Sequence, residues 1–225
     1  MKLIKPSVEI IRQEKYDLLH VFKFIELAGR TCYKSENKIT EDSASEFVNR
    51  MVKSGHGAML EHGTVYLTIP ISNILNPIIY KYILNPYSKA FIDFTNSYIT
   101  TNYRVLVENW NDDLEYITAP TEFHIRRTTV KFICDRGISH EFVRHRVFSF
   151  AQESTRYCNY TKNKFDSNLT FIIPCWIKDI KEGNYYSFIE YHSDNIDGSK
   201  EWYDICLNIE QTYFRLVEDD NWKPQ

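Results

Sequence analysis

Hydrophobic residues recur at helical spacing in two segments of the chain. Residues 41–57, EDSASEFVNRMVKSGHG, place Phe47, Val48, Met51 and Val52 on one helical face. Asp42 or Ser43 can cap this predicted helix, and Gly55 can end it. Residues 198–220, GSKEWYDICLNIEQTYFRLVEDD, predict a longer helix capped by Ser199. Its predicted buried stripe consists of Trp202, Ile205, Cys206, Ile209, Tyr213 and Leu216.

Alternating or β-branched segments predict strands over residues 63–72, 97–109 and 123–135. In the first strand, one face carries Val65, Leu67, Ile69 and Ile71. In the third, the polar residues of the sequence HIRR (124–127) are assigned to a solvated face. Residues 76–89, between two Asn-Pro steps, predict a short helix and a loop.

A turn is predicted at residues 135–137, followed by a helix that Ser139 caps and that contains residues 140–146. Helices and strands alternate without the regularity of βαβ units. The sequence therefore predicts a single α+β domain over residues 1–225, with a mostly antiparallel sheet packed against helices.

Composition restricts the kind of partner. The chain has 225 residues, of which 43% are hydrophobic, and a formal net charge of −3, so any anion-binding site must be local. We expect neither a nucleic-acid partner nor a membrane partner. The five cysteines are dispersed without a Cys-x-x-Cys pair, which is typical of reduced thiols and predicts a cytoplasmic protein.

One short segment concentrates positive charge. Residues 144–157, RHRVFSFAQESTRY, begin where the predicted helix at 140–146 ends, and they combine cations with hydroxyl groups. A helix C-terminus alone would favour such cations, each by roughly 0.3–1 kcal/mol. However, arginine forks match the paired oxygens of a phosphate, and nearby hydroxyls complete its coordination without adding charge. The segment therefore predicts a site for phosphorylated ligands.

The same segment carries a family signature. The residues Arg144-His145-Arg146-x-x-Ser149-x-x-x-x-Ser154-x-Arg156 match the RHRxxSxxxxSxR signature of the flavin-dependent thymidylate synthases in full. The resemblance extends over residues 135–165 and 169–176. It also includes SGHGAMLEHGTVYLTI at 54–69, which resembles the family's upstream His-x-x-x-x-Glu-His segment. Residues 70–125 resemble a longer insert found in some members.

The resemblance implies a reductive methylation. It implies that dUMP is converted to dTMP with methylenetetrahydrofolate as carbon donor, NADPH as hydride donor and FAD as cofactor. It also implies a homotetramer whose active sites are shared between subunits. Because the flavin carries the redox chemistry, no protein nucleophile is expected. Cys158 is accordingly interpreted as a small buried apolar residue.

By resemblance, the site residues divide into two groups. The flavin contacts are His56, Ala58, Arg144, His145, Arg146 and Gln152. The nucleotide contacts are Glu141, Arg144, Gln152, Glu153, Ser154 and Arg156. Arg156 is the expected phosphate clamp, and Ala58 stands where the family has a hydroxyl, so its contact would be through the backbone. Glu141 occupies a position where the family often has glutamine.

A metal site is not expected. His56 and His62 are six residues apart, whereas a zinc-binding pair on a helix is separated by four.

Two other functions stay open. Arginines interleaved with aromatic residues could instead bind a single-stranded nucleic acid. The protein could also be an incomplete or non-catalytic family member that binds flavin and nucleotide. In the family, the sequence beyond a Pro-Gln pair like Pro224-Gln225 completes both sites and supplies an activating arginine. We therefore expect no catalytic residue within this chain, weak ligand binding and little dTMP formation by the chain alone.

Overall fold

The computed structural model describes residues 1–71, 77–109, 111–154, 159–161, 168–187 and 198–223. The helices are α1 (Leu18–Cys32), α2 (Ser43–Lys53), α3 (Gly57–Leu60), α4 (Pro77–Ile83), α5 (Tyr103–Asn109), α6 (Arg136–Phe142) and α7 (Ser199–Phe214). The strands are β1 (Lys2–Ile4), β2 (Ser7–Ile11), β3 (Thr64–Pro70), β4 (Lys89–Ile92), β5 (Asn96–Asn102), β6 (Thr129–Ile133), β7 (Thr170–Ile172) and β8 (Gly183–Asn184).

The chain divides into two compact units. The first unit consists of Met1–Glu9, Val130–His145 and Ser154–Gln225, and the second consists of Ile10–Thr129 and Arg146–Glu153. Both units combine helices with β-sheet, so the α+β prediction is confirmed. The single family domain predicted over the whole chain stays a prediction.

The core of the second unit lies between an antiparallel sheet, in the order β3-β5-β4, and the helices α1, α2 and α5. Val65, Leu67 and Ile69 of β3 are buried, which confirms the predicted apolar face. The sequence correctly predicted α2, which ends where Gly55 adopts a φ of 70°. Gly29 of α1 lets α2 approach closely, since a Cβ at this position would overlap the Phe47 ring.

The capping of α2 differs from the prediction. Asp42 is the N-cap residue, but its side chain makes no capping hydrogen bond. Ser43 is the first helical residue, and its hydroxyl accepts from the Thr40 N–H at 2.9 Å. The same hydroxyl donates to Glu26, which ties the start of α2 to α1.

The strand predicted over 97–109 was half wrong. It ends at Asn102, and residues 103–109 form α5. The Asn102 side-chain oxygen accepts from the Val105 N–H at 3.1 Å. This N-terminal cap starts a helix despite the β-branched composition of the segment. The predicted short helix within 76–89 is confirmed as α4, while β4 was not predicted.

The strand predicted over 123–135 is confined to Thr129–Ile133, and His124 is buried rather than solvated. The His124 Nε2 lies 3.0 Å from the Leu67 carbonyl oxygen, which can only accept. Its Nδ1 lies 3.0 Å from the Thr121 backbone N–H, which can only donate. These two contacts require a neutral imidazole with its proton on Nε2.

This arrangement predicts a loss of stability in acid. Burial lowers the pKa of His124, and the positive charge of Arg126 lowers it further. The hydrogen bond to the Leu67 carbonyl acts in the opposite direction. Because the folded-state pKa lies below the unfolded value of about 6.5, the stabilisation is complete above that pH. It is lost as the pH falls through the folded-state pKa.

Urea unfolding between pH 8 and pH 5 checks this expectation. We expect His124→Asn to be less stable than the wild type at pH 8 and to show a shallower decline in unfolding free energy with falling pH. An equal decline in the two proteins would contradict the role of His124.

The first unit contains a sheet in the order β7-β1-β8 and a two-stranded sheet of β2 and β6. β1 pairs parallel with β7 and antiparallel with β8, so one parallel pair departs from the antiparallel pattern. Leu3, Ile173 and Leu207 belong to its core. Helix α6 begins at Arg136, earlier than predicted, because Asp135 rather than Ser139 caps it by accepting from the Ile138 N–H.

The predicted stripe of α7 was partly wrong, although the helix itself is confirmed. Its N-cap is Gly198 rather than Ser199, which is the first helical residue. Of the predicted stripe, Ile205 and Ile209 are exposed. Cys206 is buried, and Trp202, Tyr213 and Leu216 are half-buried. The buried face instead consists of Ser199, Tyr203, Cys206, Leu207 and Glu210. Polar members of that face have partners: the Tyr203 hydroxyl donates to Ser187 and Glu210 accepts from the Leu169 N–H.

None of the helices in the described ranges is long and apolar enough to span a membrane.

Candidate functional site

A carboxylate links the signature segment to the body of the second unit. The Ser149 hydroxyl donates to Glu61 Oε2 at 2.8 Å, and Arg104 Nη1 donates to Glu61 Oε1 at 2.7 Å. The Arg104 Nε donates to Glu108 at 2.8 Å. These carboxylates, Glu108 first and then Glu61, raise the pKa of Arg104. We call Glu61, Arg104 and Ser149 the carboxylate bridge.

The antiparallel sheet explains how the carboxylate bridge forms. Glu61 follows α3 and precedes β3, while Arg104 lies in the first turn of α5, directly after β5. Thr64 of β3 pairs with Asn102 of β5. Because these strands run in opposite directions, the start of β3 and the end of β5 meet at one end of the sheet. Glu61 and Arg104 are therefore held side by side by the strand register.

His62, next to Glu61, has a buried nitrogen. Its Nε2 has no hydrogen-bond partner within the described residues. Burial lowers the pKa of His62, while the Phe150 backbone acts in the opposite direction. A buried polar atom without a partner costs roughly 1–3 kcal/mol.

A second ion pair connects the signature segment to α1. Lys34 Nζ lies 2.9 Å from a carboxylate oxygen of Glu153. Lys34 follows α1 and adopts a φ of 48°, in the left-handed region that side chains other than glycine disfavour. Such a conformation costs on the order of 1–3 kcal/mol and is concentrated at functional sites. The strained backbone thus presents the Lys34 side chain to Glu153.

Replacing Lys34 with glycine separates these two effects. Glycine relieves the backbone cost, so we expect the free energy of unfolding to stay unchanged or to rise by up to about 1 kcal/mol. The pair with Glu153 is lost, and we expect nucleotide affinity to fall by about threefold, which is typical of a half-exposed ion pair. Urea unfolding and dUMP titration measure the two quantities. A variant that is less stable yet binds dUMP normally would contradict this assignment.

The upstream flavin contacts predicted by resemblance also lie in the second unit. His56 precedes α3, and its Nδ1 lies 3.0 Å from the Tyr33 hydroxyl, with the two rings stacked. His56 and Ala58 are both exposed to solvent. Tyr33 holds the imidazole in place while leaving it accessible.

The signature residues are divided between the two units. Arg144 and His145 belong to the first unit, where Arg144 pairs with Glu141 of α6 at 2.9 Å. Both side chains of this pair are largely exposed. The other predicted residues are distributed as follows. Arg146 is exposed and Gln152 is half-buried, both in the second unit, while Ser154 is half-buried in the first. Arg156 and Cys158 lie outside the described residues.

Sequence reasoning missed two of these residues. Lys34 and Arg104 contact partners 119 and 43 residues away in the chain, and neither lies in a recognisable motif. Arg104 also lay in a segment predicted as a strand. Glu61 lies in the segment at 54–69 that resembles the family's upstream motif, but the sequence did not predict that its carboxylate bonds Arg104 and Ser149. Within the described residues, no group of three metal-ligating side chains is brought together.

Comparison with known proteins identifies the signature region. The family model described as thymidylate synthase complementing protein matches residues 114–223. These residues are similar to the thymidylate synthase complementing protein family. No curated protein and no solved structure matches the chain.

The thymidylate synthase complementing protein family carries out thymidylate synthesis by the flavin-dependent route, which is the function that this match implies. The matched residues include the whole signature from Arg144 to Arg156. They begin after Glu61 and Arg104, so two members of the carboxylate bridge lie outside the match. The bridge therefore joins the matched segment to residues that the family model does not cover.

The carboxylate bridge gives a testable prediction. Glu61→Ala removes the acceptor that orients Ser149, and we expect dUMP affinity to fall about tenfold, the lower range for a hydrogen bond to a charged group. Glu108→Ala is the matched control, since it removes the other carboxylate on Arg104 without contact to Ser149. We expect that control to change dUMP affinity less than about twofold. Equal losses in the two variants, measured by calorimetry, would rule out a positioning role for Glu61.

Proposed function

We propose that the protein catalyses the reductive methylation of dUMP to dTMP. Methylenetetrahydrofolate would supply the carbon, NADPH the hydride, and FAD would be the resident cofactor. The observation that carries this proposal is the family match over residues 114–223, within which the RHRxxSxxxxSxR signature is complete. The proposal includes the homotetramer implied by the resemblance.

The donor set in the structure fits two anionic ligands. Arg144 and Arg146 are exposed guanidinium groups, and such groups bind the oxygens of phosphate or pyrophosphate in a bidentate manner. An exposed ion pair such as Arg144–Glu141 contributes about 0–1 kcal/mol. A phosphate oxygen can therefore replace Glu141 on Arg144 at little cost. These features support flavin and nucleotide binding by the signature segment.

The residues would have distinct tasks. Arg144, His145 and Arg146, together with His56, Gln152 and the backbone of Ala58, would hold FAD, which supplies hydride-transfer chemistry when bound. Arg156 would clamp the dUMP phosphate, with contacts from Glu141, Arg144, Gln152, Glu153 and Ser154. The cationic donors would also stabilise negative charge that develops on the uracil ring.

The carboxylate bridge and the Lys34–Glu153 pair would support the nucleotide side. They hold Ser149 and Glu153 from outside the signature segment, which keeps the hydroxyls and backbone of that segment in a fixed geometry. Binding groups that are already in place lose less entropy when the ligand arrives. We therefore assign Glu61 and Lys34 as positioning residues rather than catalytic ones.

Product analysis tests the reaction. The protein is incubated with dUMP, methylenetetrahydrofolate and NADPH, with and without FAD, and dTMP is separated chromatographically. Formation of dTMP that requires FAD supports the proposal. Formation of dTMP independent of flavin contradicts it, and binding of both ligands without any dTMP supports a family member that binds without turnover.

A further inference from the structure

The strand β4 forms an open edge of the sheet in the second unit. The sheet order is β3-β5-β4, and no other described strand pairs with β4 on its outer side. The opposite edge is partly covered, because Leu67 of β3 bridges to Ile117. An uncovered edge presents unpaired N–H and C=O groups, which readily accept another strand.

The alternation of hydrogen bonds along β4 shows which of its backbone groups face outward. The Asp93 N–H donates to Asn96 at 3.0 Å, so Asp93 faces β5 at the closing pair of the hairpin. In an antiparallel ladder the bonding direction alternates, so Phe91 also faces β5. The N–H and C=O groups of Ala90 and Ile92 therefore point away from the sheet.

Large apolar side chains surround this edge. Phe94, at the tip of the hairpin, is fully exposed, and Leu84, Tyr87 and Ile92 are also largely exposed. At the other end of β4, a groove of about 280 Å³ is lined by Ile83, Leu84, Asn85, Pro86, Ser88, Lys89 and Ala90. Large apolar side chains exposed along a sheet edge are typical of an interaction site.

We propose that β4 pairs antiparallel with β4 of a second copy of this chain, with the twofold axis at Phe91. Each Ala90 then faces Ile92 of the other copy, and both residues supply their outward N–H and C=O groups. The two Phe91 rings meet at the axis, where aromatic cross-strand pairs stabilise a sheet. This inference does not depend on the proposed reaction, and it assigns one interface to the self-association that the proposed function includes.

Charge selects this register. With the axis at Phe91, Lys89 faces Asp93 of the second copy, and the twofold symmetry repeats this ion pair. Hydrogen bonds from the backbone of Asn96 and Thr95 hold the pKa of Asp93 at about 2, so its carboxylate is charged. An axis at Ala90 places Lys89 opposite Phe91, and an axis at Ile92 places it opposite Thr95. Both alternatives lose the two ion pairs.

The groove fits the exposed phenylalanine. In the same register Phe94 lies opposite Ser88 of the second copy, one of the residues that line the groove. The fully exposed ring can then pack against Leu84 and Pro86 of the neighbouring chain. In a tetramer with closed twofold symmetry, the β4 pair would form one of the interfaces.

Cysteine cross-linking tests the register. Phe91→Cys places two thiols opposite each other at the axis, within the range of a disulfide. Lys89→Cys is the matched control, since its two thiols would be four residues apart along the strands, roughly 13 Å. The wild type, oxidised in parallel, shows how much cross-linking comes from the native cysteines. We expect mild oxidation to give a covalent dimer with Phe91→Cys and not with Lys89→Cys. No covalent dimer, or equal amounts from both variants, would overturn the proposal.

Sedimentation tests the association itself. Ile92→Pro removes an outward N–H that the monomer does not use, while Ile92→Val keeps it. We expect Ile92→Pro to halve the mass of the associated wild-type species and Ile92→Val to leave it unchanged. A monomeric wild type overturns the proposal, since the edge of β4 would then be open to a strand of another protein. So does a mass that Ile92→Pro leaves unchanged.

Discussion

Glu26→Ala is expected to lower the free energy of unfolding by about 3–5 kcal/mol, the cost of removing one partner of a buried ion pair. Glu26 of α1 is 1% exposed. Its Oε1 accepts from Arg30 Nε at 3.1 Å and Nη2 at 3.0 Å, and its Oε2 accepts from the Ser43 hydroxyl at 2.9 Å. Removal of this carboxylate leaves the charge of Arg30, also buried, without its partner.

A second pair with the same spacing provides the control. Glu46 and Arg50 are also four residues apart, on α2, but both side chains are exposed and their nearest charged atoms lie 3.9 Å apart. We expect Glu46→Ala to cost less than about 1 kcal/mol. We also expect Glu26→Met combined with Arg30→Met to recover most of the lost stability, since no charge then stays buried. Equal costs for Glu26→Ala and Glu46→Ala in urea unfolding would show that burial of the pair is unimportant.

Arg156→Ala is expected to weaken dUMP binding by about 10–100-fold, because one charge-assisted contact to phosphate contributes about 1.5–3 kcal/mol. FAD affinity should stay nearly unchanged, since Arg156 is assigned to the nucleotide. Arg156 lies outside the described residues, so this expectation rests on the signature.

Calorimetric titration of both ligands measures the difference. The control is Arg126→Ala, which removes an exposed arginine outside the signature whose guanidinium donates to the Pro120 carbonyl. We expect it to leave both affinities unchanged. Equal losses of dUMP and FAD affinity in Arg156→Ala would overturn the assignment of Arg156 to the phosphate.

Periodicity predicted elements well where packing alone decides the structure. The buried stripe of α2 and the alternation of β3 both appear in the core of the second unit. Prediction failed where a single polar contact overrides composition. Asn102 caps α5 within a segment rich in β-branched residues, and Asp135 starts α6 earlier than Ser139 would.

Burial was misjudged where polar side chains find partners. Glu210 of α7 is buried because it accepts from the Leu169 backbone, and His124 is buried because both ring nitrogens are satisfied. A sequence pattern counts such residues as solvent-exposed. Once they turn inward, apolar residues such as Ile205 and Ile209 occupy the exposed face instead.

The candidate site was predictable only in its local part. The signature residues follow one another in the chain, so their clustering is visible in the sequence. The supporting contacts of Glu61, Arg104 and Lys34 depend on the register of β3 with β5 and on a left-handed turn after α1. Neither feature has a signal in local composition, and both require the tertiary structure.

The absorbance spectrum of the purified protein with FAD, recorded before and after addition of dUMP, tests the central claim most directly. We predict that the protein binds FAD and that dUMP shifts the flavin absorbance, because the proposed nucleotide and flavin contacts share the signature segment. Deoxyuridine, which lacks the phosphate, should produce a much smaller shift at the same concentration. A protein that binds no FAD, or a flavin spectrum that dUMP leaves unchanged at saturation, would contradict the account.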